Sequence, residues 1–345
     1  MPNPTELMLL KQPGGLYESW YFCGTSADGQ TAFWLKHNLL RPFSSPATDV
    51  ECSLVLFDKS MAQPQVIHVH TRIPEANALK SASPTAQWST FRFAWSEQSW
   101  VEITPDRLRG RLQQEHTSAE WDLQLHPSHQ TLYHFPHALW YHSPWPKKKI
   151  LTNDIHLGFI GTLSINNTRF NGAFLGMNGH NWGREHAWQY AYANCGQFAN
   201  DRLAYFDGMT ARLALLNGRI HSPPLSLACL KTEQRWYRFD QLLRAARHPV
   251  RHLKDYCWAV ALHNDRFLLD IHIQAAPGPQ SPWVALHYNH PNGQRSVVKN
   301  TKFADIQLRL YDREHHCLDT LHSSLCELET LMPWNSASAG FTGQV

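Results

Sequence analysis

Apolar and polar residues alternate over short segments of the chain, and this pattern predicts β-strands along most of its length. Thr31–Leu39 follows Asp28-Gly29, a favoured hairpin turn, and Leu213–Ile220 has the pattern of a second hairpin around Asn217-Gly218. Helical patterns are confined to Asp240–Arg247 and Ser323–Met332. Strands separated by such frequent turn signals favour an all-β protein built from sandwiches or barrels.

The strand pattern occurs in two similar series. Glu18-Ser19-Trp20-Tyr21-Phe22 begins the first series, and Trp188-Gln189-Tyr190-Ala191-Tyr192 begins the second. Each is an aromatic strand followed by a loop and a long apolar strand. The chain has 345 residues, more than one hydrophobic core usually supports, so two domains are expected. A duplicated barrel would produce this arrangement.

Composition and charge exclude several classes of protein. The sequence has no apolar run of about 18 residues, and its first residues lack the pattern of a signal peptide. Seven scattered cysteines without a C-x-x-C pair indicate reduced thiols. The formal net charge is +3, and Lys147-Lys148-Lys149 fits a solvated loop better than a nucleic-acid patch. We therefore expect a cytoplasmic protein with no nucleic-acid partner and no membrane-spanning segment.

No motif indicates a metal or cofactor. His68 and His70 share one face of a predicted strand, but no third ligand is evident near them. The glycines between Gly176 and Gly183 match neither a dinucleotide nor a phosphate-binding fingerprint. We expect no metal, no cofactor and no hydrolase of the nucleophile-elbow type. The oligomeric state is left open.

The densest run of functional side chains, Gly179–Tyr192, lies at the middle of the chain. It has two interpretations. Trp182 can anchor an interdomain clamp in which Asn181 satisfies backbone groups. Alternatively, His180, Asn181, Trp182 and His186 line a ligand site.

Two carboxyl groups among aromatic residues are candidate general acids. Glu18 precedes Trp20 and Tyr21, and Asp207 follows Tyr205 and Phe206. An apolar environment raises the pKa of a carboxyl group and prepares it to donate a proton. Alternatively, Glu18 caps one end of a barrel by accepting hydrogen bonds.

The sequence resembles the tandem lipocalin-like superfamily, which includes AttH-type proteins, hydroxyneurosporene synthase, tocopherol cyclase and fungal Diels–Alderases. The resemblance covers roughly 15–312 and is nearest to a bacterial branch of the superfamily. It is carried by Glu18–Phe22, Asp28-Gly29 with Phe33-Trp34-Leu35, His180-Asn181-Trp182-Gly183 and the turn Asn289–Gly293. Ser19 stands where hydroxyneurosporene synthases tend to have a tryptophan, so their catalytic residues are not carried over.

The resemblance implies two calycin or lipocalin-like antiparallel β-barrels in tandem, with few short helices. The expected domains are 1–180 and 181–345, with a hydrophobic ligand site between or within them. One hypothesis is a cofactor-independent cyclase, hydratase or isomerase of secondary metabolism, acting on an isoprenoid-like or polyketide-like substrate. The other is a non-catalytic carrier of a lipophilic metabolite. The predicted catalytic residues are Glu18 and Asp207, and the predicted ligand-binding residues are Trp20, Tyr21, Trp34, His180, Asn181, Trp182, His186, Trp188 and Tyr190.

Overall fold

The computed structural model describes Met8 and residues 14–74, 91–216 and 218–333. This part of the chain is nearly all β, with one five-residue helix, α1 (Ala138–His142), and one 3-10 turn (Ala245–Arg247). The strands are β1 Leu16–Ser26, β2 Thr31–Arg41, β3 Thr48–Asp58, β4 Gln65–Ile73, β5 Phe91–Ser96, β6 Ser99–Ile103, β7 Arg107–Gln114, β8 Thr117–His126, β9 Leu132–Tyr133, β10 Lys148–Ile165, β11 Thr168–Gly183, β12 Gln189–Cys195, β13 Tyr205–Arg212, β14 Ala214–Leu215, β15 Ile220–His221, β16 Leu225–Lys231, β17 Trp236–Phe239, β18 Val250–Lys254, β19 Cys257–His263, β20 Leu268–Gln274, β21 Val284–Asn289, β22 Arg295–Tyr311 and β23 Cys317–Leu331.

The first half of the chain forms an antiparallel, nearly closed barrel. Its strand order is β4-β3-β2-β1-β11-β10-β8-β7-β6-β5, and β9 pairs with β10. The backbone N–H of His68 on β4 donates to the side chain of Gln114 on β7, 3.3 Å away, where the two ends of the sheet approach each other. Alternate residues of these strands point inward, among them Phe22, Leu54 and Trp121, and form one buried core.

The second half forms another antiparallel sheet around its own core. Its order is β17-β16-β13-β12-β23-β22-β20-β19-β18, and β21 pairs with β22. The core includes Phe206, Trp258 and Ile271. The Gln189 amide on β12 donates to the Leu253 carbonyl on β18, 3.2 Å away, and so connects a central strand with an edge strand.

Both halves share one topology. The first strand of each lies between the second strand and the last, and the last two strands form a long hairpin. The penultimate strand contains a bulge, at Thr152/Asp154 in β10 and at Thr301/Ala304 in β22. In the first barrel β10 pairs with the two-residue β9 before the bulge and with β8 after it. In the second barrel β22 pairs with the six-residue β21 before the bulge and with β20 after it. The predicted all-β fold with tandem barrels is thus confirmed.

The boundary expected from the sequence, 180/181, falls within strand β11. Strand β11 remains in the first sheet as far as Gly183, and the second sheet begins at Gln189. The helix expected at Ser323–Met332 is wrong, because this segment belongs to β23. Here Cys326 and Leu328 face the second core, while Glu327 and Glu329 face outward, which is the period of a strand.

The barrels pack against each other through the outer faces of their central strands. On β1, the side chains of Tyr17, Ser19 and Tyr21 point toward the second barrel, whereas Glu18 and Trp20 point into the first. Strands β2, β10 and β11 contribute to the same outer face, opposite β12, β13, β16, β22 and β23. Among the described residues no helix has the length and apolar character needed to cross a membrane.

Candidate functional site

A cavity of about 320 Å³ lies between the two barrels. This volume falls at the small end of the range for small-molecule sites. One part of its wall is apolar and comes mostly from the second barrel. The apolar lining includes Phe135, Ile150, Met209, Ala211, Leu213, Leu225, Leu227 and Leu242. The cavity adjoins a wider surface cleft of about 1340 Å³, with which it shares the lining residues Pro146, Lys147, Glu185, Ala214 and Leu215.

The other part of the wall carries charged side chains, beginning with two lysines of the first barrel. Lys36 on β2 and Lys148 on β10 both line the cavity. The Nζ of Lys36 lies 3.4 Å from the centre of the Tyr288 ring, and that of Lys148 lies 5.1 Å from the centre of the Tyr190 ring. Neither amine has a carboxylate oxygen within 4 Å among the described residues. Burial lowers the pKa of Lys36 to about 7 and also lowers that of Lys148.

Two carboxylates of β23 lie on the opposite wall and are extensively hydrogen-bonded. Glu329 accepts hydrogen bonds from the hydroxyls of Tyr190, at 2.5 Å, and Tyr288, at 3.1 Å. Glu327 forms an ion pair with the buried Lys302 and accepts a bond of 2.6 Å from the Asn194 amide. Burial alone would raise the pKa of Glu327, but the adjacent Lys302 ammonium lowers it. The Glu329 and Glu327 carboxylates therefore already have donors without any bound ligand.

Asp207 is completely buried at the contact between the barrels and does not line the cavity. Its Oδ2 accepts hydrogen bonds of 3.1 Å from Thr152 of the first barrel and from Tyr192 and Tyr205 of the second. Its Oδ1 lies 2.8 Å from Nε2 of His134, again from the first barrel. Four donors from both barrels thus surround this carboxyl group.

Glu18 is also completely buried, but inside the first barrel. Its Oε1 accepts a 2.8 Å hydrogen bond from the backbone N–H of Met8 and lies 2.9 Å from Nε2 of His180. The His180 ring stacks on Trp20, with 4.9 Å between centroids, and contacts Trp182 at 4.7 Å. This buried group faces away from the inter-barrel cavity.

The central motif is divided by strand alternation. Opposite β1, Trp182 pairs with Glu18 and His180 with Trp20, and both point into the first barrel, while Asn181 lines the cavity. Beyond the end of β11, His186 lines the cavity and stacks on Tyr17, with centroids 3.9 Å apart. The motif therefore contains both barrel-core and cavity-lining residues.

The predicted ligand residues fall into three groups. Those that line the cavity are Tyr21, Trp34, Asn181, His186 and Tyr190. Those inside the first barrel are Trp20, His180 and Trp182, although Trp182 also borders the outer cleft. Trp188 lines that cleft and stacks on His221, with centroids 3.7 Å apart.

The histidines of β4 have separate partners. His68 Nδ1 lies 2.8 Å from the Ser53 hydroxyl, and His70 Nε2 lies 3.4 Å from the Asp49 carboxylate. Within the described ranges, the residues grouped closely enough to hold a metal ion are Asp312, Glu314 and His316, in a surface turn. Glu314 and His316 are exposed, and none of the three residues lines the inter-barrel cavity.

The site predicted from the sequence did not include five residues that line the cavity: Lys36, Lys148, Glu327, Glu329 and Tyr288. A signal for some of them was present. Lys36 follows the apolar run Ala32–Leu35, and Glu327 and Glu329 alternate with Cys326 and Leu328. Charges on one face of a buried strand indicate a polar interface or site.

Comparisons with known proteins support the fold. No family model and no curated protein matches the sequence. A Nitrosomonas europaea protein assigned as an AttH has a similar structure, with a TM-score of 0.53, 13% identity, and coverage of 92% of this chain and 93% of that one. The structure of CghA has a TM-score of 0.53 and 12% identity, and that of CghA with Sch210972 has 0.52 and 11%; each comparison covers 93% of this chain and 89% of CghA.

This chain has the AttH and CghA fold. The fold that the resemblance implied is thereby confirmed. Sequence identities of 11–13% are too low to transfer the activity or the ligand of these proteins to this chain.

Proposed function

We propose that the inter-barrel cavity binds a lipophilic small molecule with an acidic or carbonyl oxygen at one end, and that the protein promotes cyclisation, hydration or isomerisation of this molecule. The observation that carries the proposal is the pair Lys36 and Lys148. Both amines line an otherwise largely apolar cavity and have no carboxylate within ion-pair distance among the described residues.

The two lysines favour a negatively polarised ligand group. A buried ammonium is costly unless a partner compensates its charge. The carboxylates of Glu327 and Glu329 have other donors, including Lys302 and Tyr190. An oxygen supplied by the ligand would therefore stabilise the protonated form of Lys36 and raise its pKa above about 7.

The remaining wall fits the hydrocarbon part of such a ligand. Leucines 213, 225, 227 and 242 line one side, and the indole of Trp34 and the ring of Tyr21 lie nearer the lysines. Transfer of a hydrocarbon chain from water to this wall is favourable by ~25 cal/mol per Å² of apolar surface. Isoprenoid-like and polyketide-like molecules combine such a chain with oxygen groups.

Lys36 is the residue that we propose as the proton donor. With a pKa of about 7 its amine can exchange a proton near neutral pH, as general acid–base catalysis requires. In this step Lys36 would donate its proton to a carbonyl oxygen of the ligand and become the neutral amine, while its Nζ lies over the rings of Trp34 and Tyr288. Glu18 and Asp207, the acids predicted from the sequence, do not line the cavity.

The structure of CghA with Sch210972 is consistent with this proposal, because a protein of the same fold was crystallised with a small organic compound. The alternative hypothesis of a non-catalytic carrier is favoured by one observation. The carboxyl groups of Asp207 and Glu18 have hydrogen-bond partners and are separated from the cavity.

Binding can be tested with dodecanoate and dodecanol, which share a hydrocarbon chain but differ in head group. Isothermal calorimetry should show tighter binding of dodecanoate by the wild-type protein, and Lys36→Met and Lys148→Met should each weaken it by about tenfold or more. Lys254→Met changes an exposed lysine and is the matched control. Equal affinity for acid and alcohol would contradict the proposed head group.

Turnover requires a separate experiment. Metabolites of a strain lacking the protein would be compared with those of strains carrying the wild type or Lys36→Met. Accumulation of an isomeric or unhydrated precursor in the first and third strains supports catalysis. An identical set of compounds in all three, together with retained ligand in native mass spectra, supports the carrier.

A further inference from the structure

Exposed hydrophobic side chains are concentrated around the mouth of the cavity. Trp145 and Leu215 line the cavity mouth, and Phe43 and Leu216 line the adjoining cleft. Ile220 is exposed as well and pairs with Leu215 across the hairpin of β14 and β15.

Two leucines extend this surface. Leu243, 88% exposed, follows the cavity-lining Leu242, and Leu139, 69% exposed, precedes Trp140, whose ring contacts Trp145. The name mouth collar is used here for the seven residues Phe43, Leu139, Trp145, Leu215, Leu216, Ile220 and Leu243. The described chain has only three other exposed large hydrophobic residues, and none of them lines either opening: Ile160, Leu203 and Leu318.

The hairpin within the mouth collar holds a leucine in an unfavourable position. Leu216 has a φ of +47° and is 70% exposed. The left-handed region is unfavourable for a residue with a Cβ and usually contains glycine or asparagine. The backbone thus presents a large apolar side chain to the exterior, where it contributes little to the folded core.

Basic residues accompany the mouth collar. Lys147, Arg184 and Arg219 are exposed beside it. The acidic residue of the cleft lining is Glu185, which forms an ion pair with Lys147. Exposed tryptophan and leucine next to lysine and arginine are typical of surfaces that lie at a membrane interface and attract anionic lipids.

We propose that the mouth collar docks onto a membrane surface containing anionic lipids, with the cavity opening facing the lipid. The position of the collar carries this inference: four of its residues line the cavity or the adjoining cleft, and the other three lie next to lining residues or their contacts. If the proposed lipophilic ligand is correct, docking would transfer it between bilayer and cavity without passage through water. A protein partner on the same residues would instead cover the opening.

The test is flotation of the full-length protein with vesicles of phosphatidylcholine, and with vesicles that also contain about one third phosphatidylglycerol. The wild type should float with the mixed vesicles and less with the neutral ones. The double variant Leu216→Ser, Ile220→Ser should bind the mixed vesicles with an affinity at least about tenfold lower. Each leucine or isoleucine that inserts into the lipid contributes to this affinity by burying apolar surface. Leu318→Ser, outside the collar, should float like the wild type. Lys147→Glu with Arg219→Glu should abolish the preference for anionic vesicles.

Absence of wild-type flotation, or an equal loss in Leu318→Ser, would overturn the proposal. A wild-type dimer in gel filtration that the double variant does not form would also overturn it, because the collar would then be an interface between two copies. Dodecanoate binding by the double variant separates this inference from the proposed function. Retained binding with lost flotation supports docking, whereas flotation by a protein that binds no dodecanoate contradicts only the proposed ligand.

Discussion

The amine of Lys36 lies 3.4 Å from the centre of the Tyr288 ring, so that a lysine of the first barrel contacts an aromatic side chain of the second. The hydroxyl of the same tyrosine donates to Glu329. This relationship joins the two walls of the cavity at its polar end and makes Lys36 the most informative residue to change.

Replacement of Lys36 by methionine should stabilise the protein below pH 7 when no ligand is added. Its pKa is about 7 in the folded protein and 10.5 in an ordinary environment, so between these values the unfolded chain holds one more proton. Stability of the wild type relative to Lys36→Met should therefore rise from pH 7 to 10, by a few kcal/mol at ~1.4 kcal/mol per pKa unit. Urea unfolding of both proteins at pH 6.5 and 9.5 measures this difference in the free energy of unfolding. A difference independent of pH would show that Lys36 is charged in the folded protein throughout this range.

Asp207→Asn should destabilise the protein by about 3 kcal/mol. The substitution removes the charge that accepts bonds from Tyr192, Tyr205 and Thr152 and places an amide N–H₂ among donors. Asp265→Asn is the control, since this carboxylate is 64% exposed in its pair with Arg244 and should cost less than about 1 kcal/mol. A stable Asp207→Asn protein with lost turnover would instead support the acid role predicted from the sequence.

Glu18→Gln should lower stability by about 1–2 kcal/mol and leave dodecanoate binding unchanged. Glutamine retains an oxygen for the Met8 N–H but loses the charge beside His180. Its side chain points into the first barrel, away from the cavity wall. Thermal unfolding and calorimetry measure the two effects. Weaker dodecanoate binding in a folded Glu18→Gln protein would show coupling between the barrel interior and the cavity.

Adjacent residues of the central motif should behave oppositely. Trp182→Ala should cost about 3–5 kcal/mol, because its buried indole packs near Tyr141 and His180. Asn181→Leu should change dodecanoate affinity with a smaller effect on stability, because Asn181 lines the cavity. Denaturant unfolding and calorimetry on both variants test the alternation. Similar effects of the two substitutions on binding would contradict it.

Strand periodicity and the repeated aromatic openings were sufficient to predict the tandem all-β fold. They could not separate β23 from a helix, because Leu325, Leu328 and Met332 also match helical spacing when the flanking glutamates are taken as exposed. In the structure Glu327 and Glu329 are buried, because the first barrel packs against the outward face of β23.

Half of the candidate site could be predicted from the same strand pattern. Tyr21, Trp34 and Tyr190 were predicted from aromatic strands and do line the cavity. The lysines were not predicted: the apolar run before Lys36 was not used as a signal, and Lys148 stands in a basic run that fits a solvated loop. Glu18 and Asp207 are buried and do not line this cavity, because strand direction and the packing of the barrels decide which cavity a carboxyl group can reach.

The shared topology of the two barrels has a consequence for the symmetry of the site. Two identical barrels packed face to face as a homodimer would place every wall residue twice, related by a two-fold axis. Covalent linkage in one chain removes this constraint. Lys36 and Lys148 are thus confined to one wall, and Glu327 and Glu329 to the other. An asymmetric molecule bound in the cavity then has a single preferred orientation.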